Sequence, residues 1–441
     1  MTMRRVLGVL VGVGAVVAAC APSTTVQPAE HAASEDWPTY HRDNQRSGTA
    51  TMPPVSAPSQ AWHTKLDGAV YGQPLMVGGR LLAATENDTV YALDPDTGAV
   101  QWSDNLGTPM PRADLPCGNI DPLGITSTMA YDPDSGRVYA LAETGGGNHT
   151  LVGISAKTGA VEVTTTVEPP SGTPIAHQQR SALTVTNGRV NIAYGGLFGD
   201  CGDYVGSVVS VRTDGTDRHD YAVPTSREAG IWAPGGAVEA AGRLLYSVGN
   251  GESTTTYDGS DSVIALAADR LDQVDVFTPS TWVDDNAHDI DLGSSSPVLV
   301  GGYVVITGKR GVAYVMKSDK LAELVSSLTI CPSYGGAAVD AGTIFMPCRG
   351  AGPKAVAVDG TGTLSVRWTS PVKAPGSPTV GGGAVWVVDY DGGTLYALDE
   401  QSGAVRGQLS IGRAPHFASP TLSGPRAYVG TMDGVVGING A

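Results

Sequence analysis

The 441-residue chain offers few groups that could do chemistry, and they are thinly spread. Five cysteines occur, but no Cys-x-x-Cys-His segment, so no haem can be attached covalently and redox chemistry would need an external electron acceptor. No Gly-x-Ser-x-Gly elbow is present, and the histidines show no evident pairing with a nucleophile, which argues against a hydrolase. What remains lies in the middle of the chain: Trp232 in Gly230-Ile231-Trp232-Ala233-Pro234, Asn250 after Tyr246-Ser247-Val248-Gly249, Asp289 in His288-Asp289-Ile290-Asp291, and Lys309 in Gly308-Lys309-Arg310-Gly311. By type these are an aromatic platform, an amide oxygen that can bind a hard cation, a carboxylate that can take a proton and a cation that can face negative charge. Each also has an ordinary structural use. Trp232 would suit a core between repeats, Asn250 before Gly251 a left-handed turn, Asp289 and Asp291 the capping of loop amides, His288 the surface, and Lys309-Arg310-Gly311 a basic turn.

The elements that must position these residues are set by a repeat. A small residue or Pro, an apolar run, a Gly turn and a second apolar run recur eight times, starting near Pro74, Thr128, Ala182, Ala237, Pro297, Ala337, Pro378 and Pro420. The period of roughly 40 to 60 residues is that of propeller blades. Val90-Tyr91-Ala92-Leu93-Asp94-Pro95-Asp96-Thr97-Gly98 matches Leu395-Tyr396-Ala397-Leu398-Asp399-Glu400-Gln401-Ser402-Gly403, with a looser version at 151–161. Asp can bond its own backbone two residues on and Gly accepts positive φ, so each copy reads strand, turn, strand. A four-stranded sheet cannot cover its own apolar faces, so the copies must pack radially. The expectation is an all-β, eight-bladed β-propeller of four-stranded antiparallel blades over 36–441. The last copy is too short for four strands, and Ala61–Leu66 is expected to complete it and close the ring. A brief helical insert is expected at Lys320–Leu324.

The first residues suggest where the ring resides. Arg4-Arg5 and the apolar run Val6 to Ala19 read as a secretion signal over 1–19, ending in Val17-Ala18-Ala19-Cys20. That ending resembles the bacterial lipobox, which implies cleavage before Cys20, lipidation of Cys20 and a membrane anchor, with 20–35 as a tether rich in Ala, Ser, Thr and Pro. With Cys20 lipidated, four cysteines remain for two disulfides in an oxidising compartment. Cys331 and Cys348 flank the first hairpin of one blade and are expected to pair, leaving Cys117 with Cys201. The net charge of −16 argues against nucleic acid as a partner. A monomer is expected.

From Asp36 onward the chain resembles the quinoprotein, or pyrroloquinoline quinone (PQQ), alcohol dehydrogenase propellers. The repeat and the opening phrase Asp36-Trp37-Pro38-Thr39-Tyr40 are shared with non-enzymatic relatives such as the outer-membrane assembly lipoprotein of Gram-negative bacteria. In the dehydrogenases a Trp at the position of Trp232 stacks under the quinone, and an Asn like Asn250 binds calcium. The first Asp of a Trp-Asp-x-Asp phrase, matched by Asp289, is the proposed base, and an Arg or Lys at Lys309 bonds the quinone oxygens. The resemblance therefore implies PQQ and Ca²⁺, with Asp289 and Lys309 catalytic, Trp232, Asn250 and Lys309 on the cofactor, and Asn250, Asp289 and Asp203 on the metal. Two segments depart from the pattern. Adjacent cysteines are replaced by Pro116-Cys117-Gly118, and the calcium-binding Glu by Asp200-Cys201-Gly202-Asp203, with neither Asp in register. A Cys117–Cys201 disulfide could take the place of the adjacent pair. Two functions follow. One is a non-catalytic binding or scaffold propeller at the cell envelope, holding a protein or glycan, which the incomplete metal site favours. The other is a PQQ- and calcium-dependent dehydrogenase acting on an alcohol or sugar.

Overall fold

The structure, a computed structural model, describes residues 36–440 together with the first two residues; the leader, Cys20 and the tether otherwise lie outside the described residues. Eight antiparallel sheets follow one another along the chain. Their innermost strands are Leu75–Val77, Ala130–Asp132, Thr184–Thr186, Val238–Ala240, Val298–Val300, Ala338–Asp340, Thr379–Gly381 and Thr421–Ser423, each one or two residues after an expected repeat start. These head blades 1 to 8. The innermost strands of blades 2 and 3 touch, as do those of blades 4 to 8 in succession, and blade 8 lies against blade 1. Ser59–Lys65 pairs antiparallel with Gly434–Asn439 and supplies the missing outer strand of blade 8, closing the ring as expected. Lys320–Thr329 is not helical. It is the outer strand of blade 5, paired with Val312–Lys317. Its Lys-Leu-Ala-Glu-Leu start has good helix formers, but cross-strand pairing overrides that weak preference.

Tryptophan and glycine join several blades. Asp94 accepts hydrogen bonds from the Asp96 and Thr97 amides at 3.0 and 2.9 Å, and Gly98 follows with φ +72°. A Cβ there would stand 2.6 Å from the Trp62 ring, which comes from the outer strand of blade 8. Trp368, on the outer strand of blade 6, covers Gly403 of blade 7 in the same way and donates its indole N–H to the Glu400 carbonyl at 2.9 Å. The glycine is thus required twice, for the turn and for the indole.

The middle of the ring is filled by residues 36–50. Their backbone or side chains bond in turn to Met76 in blade 1, Tyr131 in blade 2, Leu183 and Val185 in blade 3, Glu239 in blade 4, Val339 in blade 6 and Val380 in blade 7. Arg46 is the centre of this plug. It is 1% exposed and donates to the Ala237 carbonyl at 2.9 Å, the Thr39 hydroxyl at 2.7 Å and the Thr184 hydroxyl at 2.6 Å. Burial pulls its pKa down to about 10 against the opposing charge of Asp43. Beside it, Tyr40 and His41 stack with centroids 4.2 Å apart. The chain enters at the lower face, where Asp36 caps the Gly78 amide in a first-to-second-strand turn. The upper face carries the connections between blades and the loops from second to third strands.

Replacing Arg46 with Leu strips a charged donor from several buried acceptors, each costing about 1–3 kcal/mol when left unmade. The expected loss of stability is roughly 3 kcal/mol or more, read as a lower urea midpoint with an unchanged slope.

Candidate functional site

All of the singled-out residues that fall in the described region lie on the upper face. Asp289 and Asp291 stand in the connection leading into blade 5, and Lys309 in that blade's loop between Tyr303–Thr307 and Val312–Lys317. Asn250 follows Arg243–Val248 of blade 4, and Trp232 lies in the connection leading into that blade. Both disulfides are here too. Cys117, after blade 1, bonds Cys201 in a blade 3 loop with Cα atoms 6.1 Å apart, and Cys331 bonds Cys348 across the start of blade 6.

Lys309 is the organising charge of the blade 5 group. Its Nζ lies 2.6 Å from Asp289 Oδ1 and 2.9 Å from Asp291 Oδ2. Asp291 is buried, and its other oxygen accepts the Asn250 backbone N–H at 2.7 Å. Burial by itself would lower the Lys309 pKa, but the two carboxylates outweigh it and hold the ammonium above its ordinary value. The main chain helps set this geometry. Asp289 caps the short helix Trp282–His288 in the left-handed region, φ +55°, and the Lys309 amide bonds the Asp291 carbonyl at 2.8 Å. Next door Arg310 pairs with Asp284 and Asp285.

The structure thus brings Asp289, Lys309 and the Asn250 backbone together, with Asp291 as the buried hub. Asp203 joins none of these bonds. It is exposed on the loop held by Cys117–Cys201, where its carbonyl accepts the Thr173 amide at 2.6 Å. Calcium does not fit the group as it stands. The ammonium already bonds both carboxylates and lies between them, so a metal ion would have to displace it. Among the described residues no three His, Cys, Asp or Glu side chains are grouped to hold a metal ion.

Trp232 does not present an open platform. It lies over Gly195, where a Cβ would stand 2.7 Å from the Trp232 Cβ, and its ring meets Phe417 with centroids 6.2 Å apart and planes at 36°. Phe417 leads into blade 8, half a ring from blade 4, so this contact crosses the propeller axis. Phe417 also meets Tyr334, stacked at 6.2 Å, and Tyr390, edge-on at 6.3 Å. The buried Arg180 guanidinium lies 5.9 Å from the Phe417 and Tyr71 centroids and donates to the His416 carbonyl at 2.7 Å. Sequence reasoning missed this axial cluster. A signal existed: Tyr71, Tyr334 and Phe417 each stand three residues before a repeat start, at Pro74, Ala337 and Pro420.

The sequence profile described as outer membrane protein assembly factor BamB matches residues 55–239 and 323–440. A polyvinylalcohol dehydrogenase from a Pseudomonas species is 22% identical over 85% of this chain, and the match spans 66% of that protein's length. Among solved structures, a quinohemoprotein alcohol dehydrogenase from Comamonas testosteroni superposes with a TM-score of 0.72 at 16% identity, covering 92% of this chain and 80% of that one. BamB from Moraxella catarrhalis gives 0.61 at 15% identity, covering 87% and 99%. At these identities the superpositions show the fold, shared by dehydrogenases and an assembly factor.

Asp261, beneath the Lys309 group, gives a pH test. It is fully buried, Oδ1 accepts the Leu292 amide at 3.0 Å, and Oδ2 has no partner. Burial first, then the charge of Asp291, pushes its pKa up from 3.8 to about 8. The native protein therefore keeps a proton that the unfolded chain releases above pH 3.8, so this group's contribution to stability is full below that pH and is lost as pH rises through about 8. Asp261→Asn keeps the Oδ1 acceptor and removes the titration. Urea unfolding at pH 4 and pH 8 is expected to show the variant more stable than the parent only at pH 8.

Proposed function

Since the chain belongs to the PQQ-like-repeat propeller family described as outer membrane protein assembly factor BamB, we propose that it is a non-catalytic binding propeller of the bacterial cell envelope, anchored through a lipidated Cys20. The observation that carries this reading is the Lys309 ammonium seated between Asp289 and Asp291. The carboxylate matched to a catalytic base is committed to an ion pair, and the place of a divalent cation is taken by the protein's own charge. Phe417 against Trp232 supports the same reading, because a quinone stacked on that indole would require Phe417 to move. The upper face also lies opposite the point where residue 36 enters the ring, so a tether attached there leaves this face free to meet a partner.

A second reading is kept by the similarity to polyvinylalcohol dehydrogenase over 85% of the chain. On it, the protein is a PQQ- and calcium-dependent dehydrogenase of an alcohol or sugar, with Trp232, Asn250, Lys309 and Asp289 at the cofactor.

Titration of the soluble protein, truncated before Asp36, with PQQ in the presence and absence of Ca²⁺ separates the two, following quinone absorbance and Trp fluorescence. The binding reading expects no saturation at tens of micromolar, about the range of −6 to −7 kcal/mol. Saturable one-to-one binding that requires Ca²⁺ would replace it with the dehydrogenase reading.

A further inference from the structure

The upper end of the axis carries guanidiniums that no carboxylate bonds, with the buried Glu86 acting on Arg180 only through its charge. Several basic side chains of this acidic chain are paired with carboxylates, among them Arg137 with Glu162, Arg189 with Asp217 and Arg406 with Asp399. Arg180, Arg349 and Arg413 differ. Among the described residues none of the three guanidiniums forms an ion pair with a carboxylate. Arg180 is 8% exposed at the bottom of the mouth. Arg349 is exposed at the rim with its guanidinium 5.0 Å from the Tyr334 centroid. Arg413 is exposed on the connection into blade 8, next to Ala414, whose amide bonds the Tyr390 carbonyl at 3.1 Å. Of the acids near this cluster, Glu86 is buried, with its pKa pushed up to about 7 by burial, and Asp391 is 72% exposed and stands by His416 at 3.7 Å.

These cations come from blade connections or loops spread around the ring, and only at the axis do such segments converge. Between them lie the half-buried Tyr334 and Phe417, with planes at 15°, over the buried Tyr390, which meets Phe417 edge-on. Such rings present apolar faces the size of a sugar ring, and an arginine fork matches a carboxylate with two parallel hydrogen bonds. The space above Trp232 is a poor slot for a flat multi-ring ligand. Sandwiching one requires two contacts of about 3.5 Å, and Phe417 stands 6.2 Å away at a tilt. The mouth is also unsuited to an extended peptide, which would add to a free sheet edge. The inner strand edges here are lined by the 36–50 plug.

We infer that the axial mouth is a binding site for a carboxylate-bearing sugar, the uronate end or branch of an acidic glycan. Tyr334 and Phe417 carry the pyranose, and Arg349 and Arg413 meet the carboxylate over the fixed positive charge of Arg180. This rests on the binding reading above and names its ligand class. A neutral mouth would discriminate sugars by shape alone; here the uncharged sugar lacks the charge-assisted hydrogen bonds that the carboxylate makes to the guanidiniums.

The test is a Trp-fluorescence and calorimetric titration of the folded ring, residues 36–441, with tetragalacturonate, its carboxyl-reduced neutral counterpart and tetraglutamate. Tetragalacturonate is expected to saturate, with the neutral sugar and the peptide at least tenfold weaker. Arg349→Gln and Arg413→Gln, both at exposed positions and checked for unchanged circular dichroism, are each expected to weaken it at least tenfold. No saturation by tetragalacturonate in the millimolar range, equal binding of the neutral sugar or of tetraglutamate, or unchanged affinity in both variants overturns the inference. PQQ with Ca²⁺ is run alongside. Calcium-dependent PQQ binding removes the binding reading itself, whereas failure of both PQQ and the uronate removes only the assignment of the ligand.

Discussion

A ring of wedge-shaped sheets leaves a hole at its centre, and each innermost strand then has an edge with no neighbour. Unpaired backbone groups and apolar side chains cannot simply face a void, because each buried polar group left unmade is costly. This chain answers the constraint with its own residues 36–50, which bond to six of the eight innermost strands and bury Arg46 among hydroxyls and carbonyls. The stacking of Tyr40 on His41 belongs to that filling. The plug fills the axis from the lower side, and the aromatic cluster around Phe417 lies above it.

Charge on the upper face is divided in two. Around blade 5, carboxylates are answered by Lys309 and Arg310 within the protein, in bonds of 2.6 and 2.9 Å for the lysine. At the axis the balance is reversed, with guanidiniums set against aromatic rings and no carboxylate seated on them. A catalytic metal site needs uncommitted anionic ligands; an anion-binding mouth needs uncommitted cations. In the blade 5 group both aspartates already bond Lys309, whereas the axial guanidiniums bond no carboxylate.

The fold was legible in the sequence because a propeller repeats its local signals. The Asp94 and Asp399 turns, the eight repeat starts and the spare strand at Ser59–Lys65 follow from short-range turn chemistry and apolar alternation. Lys320–Thr329 was misleading because helix preference is weak beside strand pairing. The neighbourhood of Asp289, Lys309 and Asn250 could be inferred through resemblance, but the ion pairs that occupy Asp289 could not, since they depend on side-chain directions in two separate loops. The axial cluster was the least visible part. Trp232 and Phe417 are far apart in the chain and half a ring apart in the fold, and only closure of the ring brings them to 6.2 Å.

The central claim is that Lys309 holds the Asp289–Asp291 pair in place of a divalent cation. It is tested most directly by calorimetric titration of the folded ring with Ca²⁺ alone, in the parent and in Lys309→Ala. The account predicts no saturable site in the parent below the millimolar range, and calcium affinity gained only when the ammonium is removed. Micromolar, one-to-one calcium binding by the parent protein would contradict it.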